Sequence, residues 1–380
     1  MIVERPALET RVLQALDAGR IPVLLGGCGS GRTSVLLRLA SLLGDGQAQY
    51  IDLAAAATTP ERCLQSVVAA TSPDTATGLK PPAAARAAFD GLLAFLDSAR
   101  APSQGPKTFL FDEVLDIRTF ESFPGLRHVQ RELIDRLAAS PNGFVLASRF
   151  TARTHRLLRD ADARFEVIHV SPFTADDVRS LARQNHAGET ITSAHATAVA
   201  ALSGERAACA SILLSALLTQ AVARRRPVDA LAIAMSPGGA LAARCRESYE
   251  FRLHRARGYG ALKAILGVLA EKDAITLTEI SRRLHRTPGS TKDYLSWLED
   301  VDLVRMQRKR YVFDDPLLRL YLRLYGHPTP PSPRAIATEV AQWADHCLPD
   351  DLPPQSSAPA VAGAATERGG SAQSGIIEID

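Results

Sequence analysis

The sequence predicts an α/β domain built on a parallel sheet, followed by an all-helical domain and a winged helix-turn-helix. Over residues 1–171, short strands that are apolar on both faces alternate with amphipathic helical segments, as in parallel sheets covered by helices. From residue 174 to about residue 255 only helical patterns occur. Three short helical segments and a hairpin then follow, which is the element order of a winged helix.

The chain has 380 residues, enough for two or three domains. The tail is rich in proline, alanine, glycine and serine, so it has little apolar surface with which to order itself. The predicted organisation is a parallel-sheet core at 1–171, an all-helical lid at 172–256, a winged helix at 257–326 and a mostly disordered tail at 327–380.

The core strands follow one another at intervals that leave room for helices. Parallel strands need crossover connections of about a dozen residues or more, usually helical. Amphipathic segments at 34–43 and 129–140 supply two such helices. The predicted strands are 21–25, 49–53, 108–112, 144–148 and 165–170.

The strongest local pattern is a glycine-rich turn between the first strand and the following helix. It fits the phosphate-binding pattern G-x-x-x-x-G-K-[ST], with Arg32 at the lysine position. Glycines let the backbone wrap around a phosphate, so that amide N–H groups point inward beside the positive end of the helix. The predicted ATP-binding residues are Gly26, Gly27, Cys28, Gly29, Ser30, Gly31, Arg32, Thr33 and Ser34.

Two other interpretations of this turn exist: a glycine turn without a ligand, and a dinucleotide-binding fold. The strand–turn–helix context disfavours the first. The second is disfavoured because Asp52 lies inside its strand pattern, so no acidic residue ends the second strand in the usual way. Arg32 is planar, bulky and always charged. It can neutralise phosphate, but its shape puts fast hydrolysis in doubt.

Two carboxylates follow the third strand. Asp112 is predicted to hold Mg²⁺ opposite the hydroxyl of Thr33, and Glu113 to orient and polarise the attacking water. The fourth strand ends at Ser148, which is predicted to touch the γ-phosphate or position water. The alternative for Ser148 is a solvent-facing serine at a strand end.

These motifs, in this order, resemble those of AAA+ ATPases of the origin-recognition and archaeal-type ATPase groups. The resemblance covers about residues 1–325 and implies an ATPase that uses ATP and Mg²⁺. It further implies Arg164 as an arginine finger and Arg206 as a sensor arginine in the lid. The alternative for Arg164 is an arginine on the surface, and the alternative for Arg206 is an arginine that caps or solvates its helix. Besides the glycine-rich turn and the pair of carboxylates, the resemblance rests on the stretches 3–19, 163–182, 202–218 and 313–325.

The predicted winged helix has an excess of basic over acidic side chains. Its presumed recognition helix begins with small polar residues, which suits contacts with phosphates, and no set of residues points at base edges. We therefore expect DNA binding dominated by phosphate contacts. The alternative is a module that packs against the core or a protein partner. The predicted DNA contacts are Lys292, Arg308, Lys309 and Arg310.

Composition excludes several classes of protein. The net charge of +3 is too small for a polybasic nucleic-acid coat. No apolar stretch approaches the roughly 20 residues that span a bilayer, and the N-terminus has no signal-peptide pattern. Five widely spaced cysteines favour a reducing compartment, so we expect a cytoplasmic protein.

Together these patterns predict a nucleotide-dependent ATPase switch coupled to DNA or a protein partner through a winged helix. The possible partners include further copies of the same chain and exclude a membrane. The competing hypotheses are a regulator that binds nucleotide without hydrolysis and a signal-transduction NTPase.

Overall fold

The computed structural model describes residues 4–44, 46–71, 84–185, 191–221, 226–254 and 258–349. It confirms the predicted α/β fold class with a five-stranded parallel sheet. The strands are β1 Ile21–Leu25, β2 Ala48–Asp52, β3 Thr108–Asp112, β4 Gly143–Ser148 and β5 Phe165–His169. The core helices are α1 Pro6–Asp17, α2 Arg32–Leu43, α3 Leu53–Ala56, α4 Pro60–Thr71, α5 Ala85–Ser98, α6 Val129–Ala139 and α7 Thr151–Leu158, with a 3₁₀ helix at Val114–Ser122.

The strands lie in the order β2-β3-β4-β1-β5. The strand β1 therefore pairs with β4 and β5, whereas in the dinucleotide-binding order the first strand pairs with the second. This order excludes the dinucleotide alternative. The prediction that no acidic residue ends the second strand is wrong, because Asp52 is the last residue of β2. Its carboxylate accepts the Ala54 N–H at 2.9 Å and caps α3.

The sheet is buried on both faces, which explains why its central strands are apolar throughout. All five residues of β1 are buried. On one face Phe109, Phe111 and Phe144 stack, with ring centroids 5.8–6.3 Å apart. Because the strands are parallel, their carboxyl ends share one edge, and this edge carries the predicted site residues after β1, β3 and β4.

The described residues from 175 to 254 contain helices and no strand; we call this region the lid. Its helix at Ala207–Leu218 is apolar, half of its residues are buried, and it packs against the other lid helices. The lid helices are α8 Ala175–Asn185, α9 Ser193–Leu202, α10 Ala207–Leu218, α11 Pro227–Ala234 and α12 Ala240–His254.

The next region, residues 259–325, is called the C-terminal unit. Three helices precede an antiparallel hairpin, in the order that the sequence predicts, and a fourth helix follows. The hairpin turn holds Arg308 and Lys309, with φ angles of 49° and 64°. The elements are α13 Tyr259–Glu271, α14 Leu277–Arg283, α15 Pro288–Asp300, β6 Val304–Gln307, β7 Arg310–Phe313 and α16 Pro316–Tyr325.

The prediction of a mostly disordered tail is wrong for its first part. Pro333–Cys347 forms a helix, α17, which Ser332 caps and Pro333 begins. Its apolar face is buried, and the indole nitrogen of Trp343 donates to the Leu202 carbonyl at 3.2 Å. Apolar residues recur in this segment at helical spacing, so it can bury one face of a helix although prolines flank it. Residues 350–380 lie outside the described part of the chain. Among the described helices, none is long and apolar enough to cross a bilayer.

Candidate nucleotide site

The glycine loop, residues 26–31, joins β1 to α2 in the conformation that a phosphate cradle requires. Gly29 and Gly31 have φ angles of +82° and +97°, which side chains with a Cβ atom rarely adopt. A Cβ atom on Gly27 would collide with the guanidinium of Arg206. The helix α2 begins directly afterwards at Arg32, so its unpaired first-turn N–H groups face the loop.

Thr33 and Asp112 meet at this edge of the sheet, as the sequence predicts. The Thr33 hydroxyl donates to Asp112 Oδ2 at 2.5 Å, and the Tyr50 hydroxyl donates to the same oxygen at 3.1 Å. Burial raises the pKa of the Asp112 carboxyl, although the bond from Thr33 opposes that shift. A hydroxyl beside a carboxylate is a set of hard oxygen ligands that fits Mg²⁺. Tyr50 was not predicted, because nothing in β2 marks it.

Glu113 follows in a strained backbone conformation, with φ of 53°. Its carboxylate lies between two arginines: Arg32 Nη2 is 2.7 Å from Oε1 and Arg149 Nε is 2.9 Å from Oε2. Burial acts to raise the pKa of Glu113, but the charges of Arg32 and Arg149 outweigh it, so the pKa is lowered. The carboxylate is therefore ionised, and both of its oxygens contact arginines.

Arg32 connects the two motifs through one planar side chain. It is buried, with 6% of its surface exposed. Its Nη1 donates to the carbonyls of Gly26 and Gly27, the latter at 2.8 Å, while Nη2 bonds Glu113. A lysine carries one compact charged group and cannot span both partners in this way. The arginine at the lysine position of the motif thus forms an ion pair with Glu113, the residue predicted to orient water.

Ser148 is fully buried, which excludes the solvent-facing alternative. Its hydroxyl accepts the Phe150 N–H at 3.1 Å, and a contact with nucleotide stays a prediction. The next residue, Arg149, was missed: besides Glu113 it binds Asp116 at 3.3 Å and lies over the ring of Phe251, 4.8 Å from its centroid. A single arginine after a strand gave no signal in an arginine-rich chain.

Arg164 lies at the opposite edge of the sheet from the glycine loop, where β5 begins. Its Nε donates to the Gly19 carbonyl at 3.0 Å, and Nη1 donates to the carbonyls of Ala138 and Ser140. These bonds join three segments of the same chain. They favour a structural role over the finger role, which stays a prediction.

Arg206 is the N-cap residue of the lid helix α10, and its side chain reaches the glycine loop. Its Nη1 donates to the Cys28 carbonyl at 2.9 Å. Its other nitrogens face two carboxylates, Asp314 Oδ2 at 3.3 Å and Asp315 Oδ1 at 3.5 Å. Burial acts to lower the pKa of Arg206, but Asp315 and Asp314 outweigh it and raise the pKa. Arg206 therefore ties the loop to the segment after the hairpin.

A cavity of about 470 Å³ lies between the glycine loop and the lid. The Ala208 N–H donates to the Gly29 carbonyl at 3.0 Å, so α10 closes directly over the loop. Arg244 of α12, which was not predicted, also lines this cavity. The cavity is lined by residues 28–34, Glu113, Ala207, Ala208, Ser211, Ile212 and Arg244.

The four predicted DNA contacts are all exposed on the C-terminal unit. Lys292 lies in the first turns of α15, and Arg308 and Lys309 form the hairpin turn. Arg310 is held by a bond from Nη1 to the Ala274 carbonyl at 2.8 Å. The acidic end of α15 faces the core instead, where Asp300 binds Arg156 at 2.5 Å.

No protein-family model and no curated protein matches this chain. Among solved structures, a Walker-type ATPase of Pyrococcus abyssi, PABY2304, is similar with a TM-score of 0.61 and 18% identity, over 85% of this chain and 96% of that chain. The Thermotoga maritima RuvB Holliday junction branch migration motor has a TM-score of 0.43 and 12% identity, covering 86% and 96%. The Aeropyrum pernix Orc1 protein, in complex with DNA, has a TM-score of 0.44 and 16% identity, over 92% of this chain and 95% of that chain. The chain therefore has the fold of a Walker-type P-loop ATPase, in agreement with the predicted α/β core.

Proposed function

We propose that this chain binds Mg²⁺-ATP in the cavity above the glycine loop and acts as a nucleotide-dependent switch with slow hydrolysis. The observation that carries the proposal is the contact between Thr33 and Asp112 at the carboxyl edge of the sheet. These residues lie 79 positions apart in the chain. Their meeting beside left-handed glycines and a helix N-terminus is what a metal-bound triphosphate requires.

The residues fit both cofactors. Thr33 and Asp112 would hold Mg²⁺, and the first-turn amides of α2 would bind phosphate oxygens. Mg²⁺, when bound, neutralises charge on the β- and γ-phosphates. Arg32 supplies a further cation at the start of α2, once phosphate oxygens compete with the loop carbonyls for its N–H groups. Glu113 would orient a water molecule and accept its proton.

The pair between Arg32 and Glu113 is the reason to expect slow turnover. The carboxylate that should bind water is already occupied on both oxygens by arginines, at 2.7 and 2.9 Å. Its lowered pKa also makes it a weaker base. The same pair favours the second candidate function, a regulator that binds ATP without hydrolysis. Nothing in the described site favours the signal-transduction NTPase.

Coupling between the nucleotide site and the C-terminal unit would run through two contacts. Arg206 joins the Cys28 carbonyl to Asp314. Asp302, at the base of the hairpin, accepts the Thr151 N–H at 2.8 Å, where α7 begins shortly after Ser148. Both sides of the nucleotide site are thus connected to the unit that carries the cationic turn. A change at the phosphates would alter the position of that unit.

We expect ATP binding to depend on magnesium and on Thr33. Removing the hydroxyl by Thr33→Ala takes away one metal ligand and the partner of Asp112, so Mg²⁺-ATP should bind at least about tenfold more weakly. Isothermal titration calorimetry with and without Mg²⁺ measures this. Thr58→Ala, a threonine outside the cavity, is the matched control. Wild-type protein that takes up no ATP in the presence of Mg²⁺ would rule out the nucleotide site.

For the C-terminal unit we propose DNA binding through phosphates. Arg308 and Lys309 occupy left-handed positions that usually go to asparagine and glycine in hairpin turns. Two long cationic side chains there cost backbone energy, on the order of 1 kcal/mol each. A charge-dependent contact at the turn tip explains why they are present. Binding of this unit to a protein partner, or to another copy of the chain, is the alternative.

Duplex DNA affinity should then fall with salt, at a slope of about −0.9 per neutralised phosphate. Four contacts predict a slope of about −3 to −4, similar for unrelated DNA sequences. The double reversal Arg308→Glu with Lys309→Glu should reduce the slope by about two units or more, whereas Arg62→Glu on α4 should not. Fluorescence anisotropy at several salt concentrations measures the slope. A flat response in wild-type protein would mean that the unit binds protein instead.

The cytoplasmic location also belongs to this proposal. All five cysteines are free thiols, two of them only partly buried. Free thiols persist where the compartment is reducing.

A further inference from the structure

A second lid arginine faces the glycine loop from α12. Nη2 of Arg244 lies 4.0 Å from Cys28 Sγ. A Cβ atom placed on Gly29 would lie only 2.6 Å from that same nitrogen. Arg244 also lines the cavity that contains Thr33 and Glu113. Its guanidinium is therefore directed at the middle of the loop, where amide groups would bind phosphate.

The charge environment of Arg244 differs from that of Arg206. Two carboxylates compensate Arg206, which also donates to the Asp314 carbonyl at 3.0 Å. Within the described residues, no carboxylate lies within 4.0 Å of the Arg244 guanidinium; its nearest polar neighbours are the thiols of Cys28 and Cys209, and the charge of Asp315 acts on it from farther away. A half-buried guanidinium with no carboxylate in direct contact leaves room for a further anion beside it.

We propose that Arg244, rather than Arg206, is the lid arginine that binds the phosphates of the nucleotide. This assignment rests on the proposed ATP site. Binding an anion to Arg244 breaks no ion pair within 4.0 Å among the described residues, whereas moving Arg206 onto a phosphate would break its contacts with Asp314 and Asp315 and leave Asp314 with Arg305 at 4.0 Å. A guanidinium can donate two parallel N–H bonds to one phosphate, which fixes its orientation. Arg206 keeps its role as the tie between the loop and the C-terminal unit.

Cys28 provides a reporter that does not depend on nucleotide. Burial acts to raise the pKa of its thiol, but the charges of Arg252 and Arg244 outweigh it and lower the pKa. Removing the charge at position 244 should therefore raise that pKa and slow the alkylation of Cys28 near neutral pH. Bound ATP should shield the same thiol, since Cys28 lines the cavity.

The test compares Arg244→Ala, Arg244→Lys and the control Arg246→Ala, an exposed arginine on the same helix. Mg²⁺-ATP affinity is measured by calorimetry, and Cys28 alkylation is measured by mass spectrometry with and without ATP. We expect Arg244→Ala to weaken ATP binding about 10- to 100-fold. Arg244→Lys should recover part of the loss, and Arg246→Ala should bind as wild type does. Inorganic tripolyphosphate should compete with ATP in wild type and far less in Arg244→Ala.

Each result separates the assignment from the proposed function. Wild-type affinity in Arg244→Ala would overturn the assignment and leave the ATP site intact. A loss that Arg244→Lys does not recover, accompanied by a lower melting temperature, would make Arg244 a structural residue and also overturn it. Failure of wild-type protein to bind ATP would overturn the proposed function and the assignment together. Unchanged Cys28 alkylation in Arg244→Ala would show that the guanidinium does not lie beside the loop.

Discussion

Glu113→Gln should abolish ATP turnover while ATP binding persists. Glutamine keeps the size of the side chain but cannot accept a proton from water, so we expect the rate to fall by about 10²- to 10⁴-fold. Binding should hold or tighten, because Arg32 loses its partner at 2.7 Å and becomes available to phosphate. Phosphate release measures turnover, and calorimetry measures binding.

The matched control for this change is Glu121→Gln. Glu121 lies on the 3₁₀ helix after Glu113 and binds Arg118 at the surface. It should leave both measurements unchanged. If wild-type turnover already equals that of Glu113→Gln, the chain is a nucleotide-binding regulator and not an ATPase. If Glu113→Gln turns over ATP as fast as an active wild type, another residue orients the water.

Arg32→Lys should raise the rate of hydrolysis. The arginine holds the loop carbonyls with one nitrogen and Glu113 with the other. Lysine has a single charged group, so it cannot hold both, and one oxygen of Glu113 becomes available to water. A gain of about tenfold or more is expected if the pair limits catalysis, the scale on which positioned acid–base groups act. Steady-state phosphate release at saturating ATP measures it.

Arg38→Lys, on the same helix α2, is the control for this substitution. Arg38 binds Glu4 at 2.9 Å, at the surface, and the change should leave the rate as it is. An Arg32→Lys protein that binds ATP with no gain in rate would show that the second arginine on Glu113, Arg149, or a later step limits turnover. A lower rate would mean that the planar fork of Arg32 itself assists the reaction.

The sequence by itself determined the strands, most of the helices and the two motifs that follow β1 and β3. These features depend on short-range geometry, because strand and helix periods and the φ angles of glycine act within a few residues. They were sufficient to predict that Thr33 and Asp112 would meet at one edge of a parallel sheet. Arg206 was predicted only through the resemblance to AAA+ ATPases, which did not identify its partners.

Only the tertiary structure decided which charged groups pair across the site. Arg32 and Glu113 are 81 residues apart, and Arg206 and Asp314 are 108 apart, so no local pattern links them. In an arginine-rich chain, Arg149 and Arg244 carry no distinguishing neighbours, and their roles appear only when β4 and α12 approach the loop. The same holds for α17, whose apolar face becomes ordered because the lid helices offer it a surface to cover. Which charges pair and which apolar faces pack together depends on how the elements are arranged in three dimensions. The spacing of residues along the chain does not specify that arrangement.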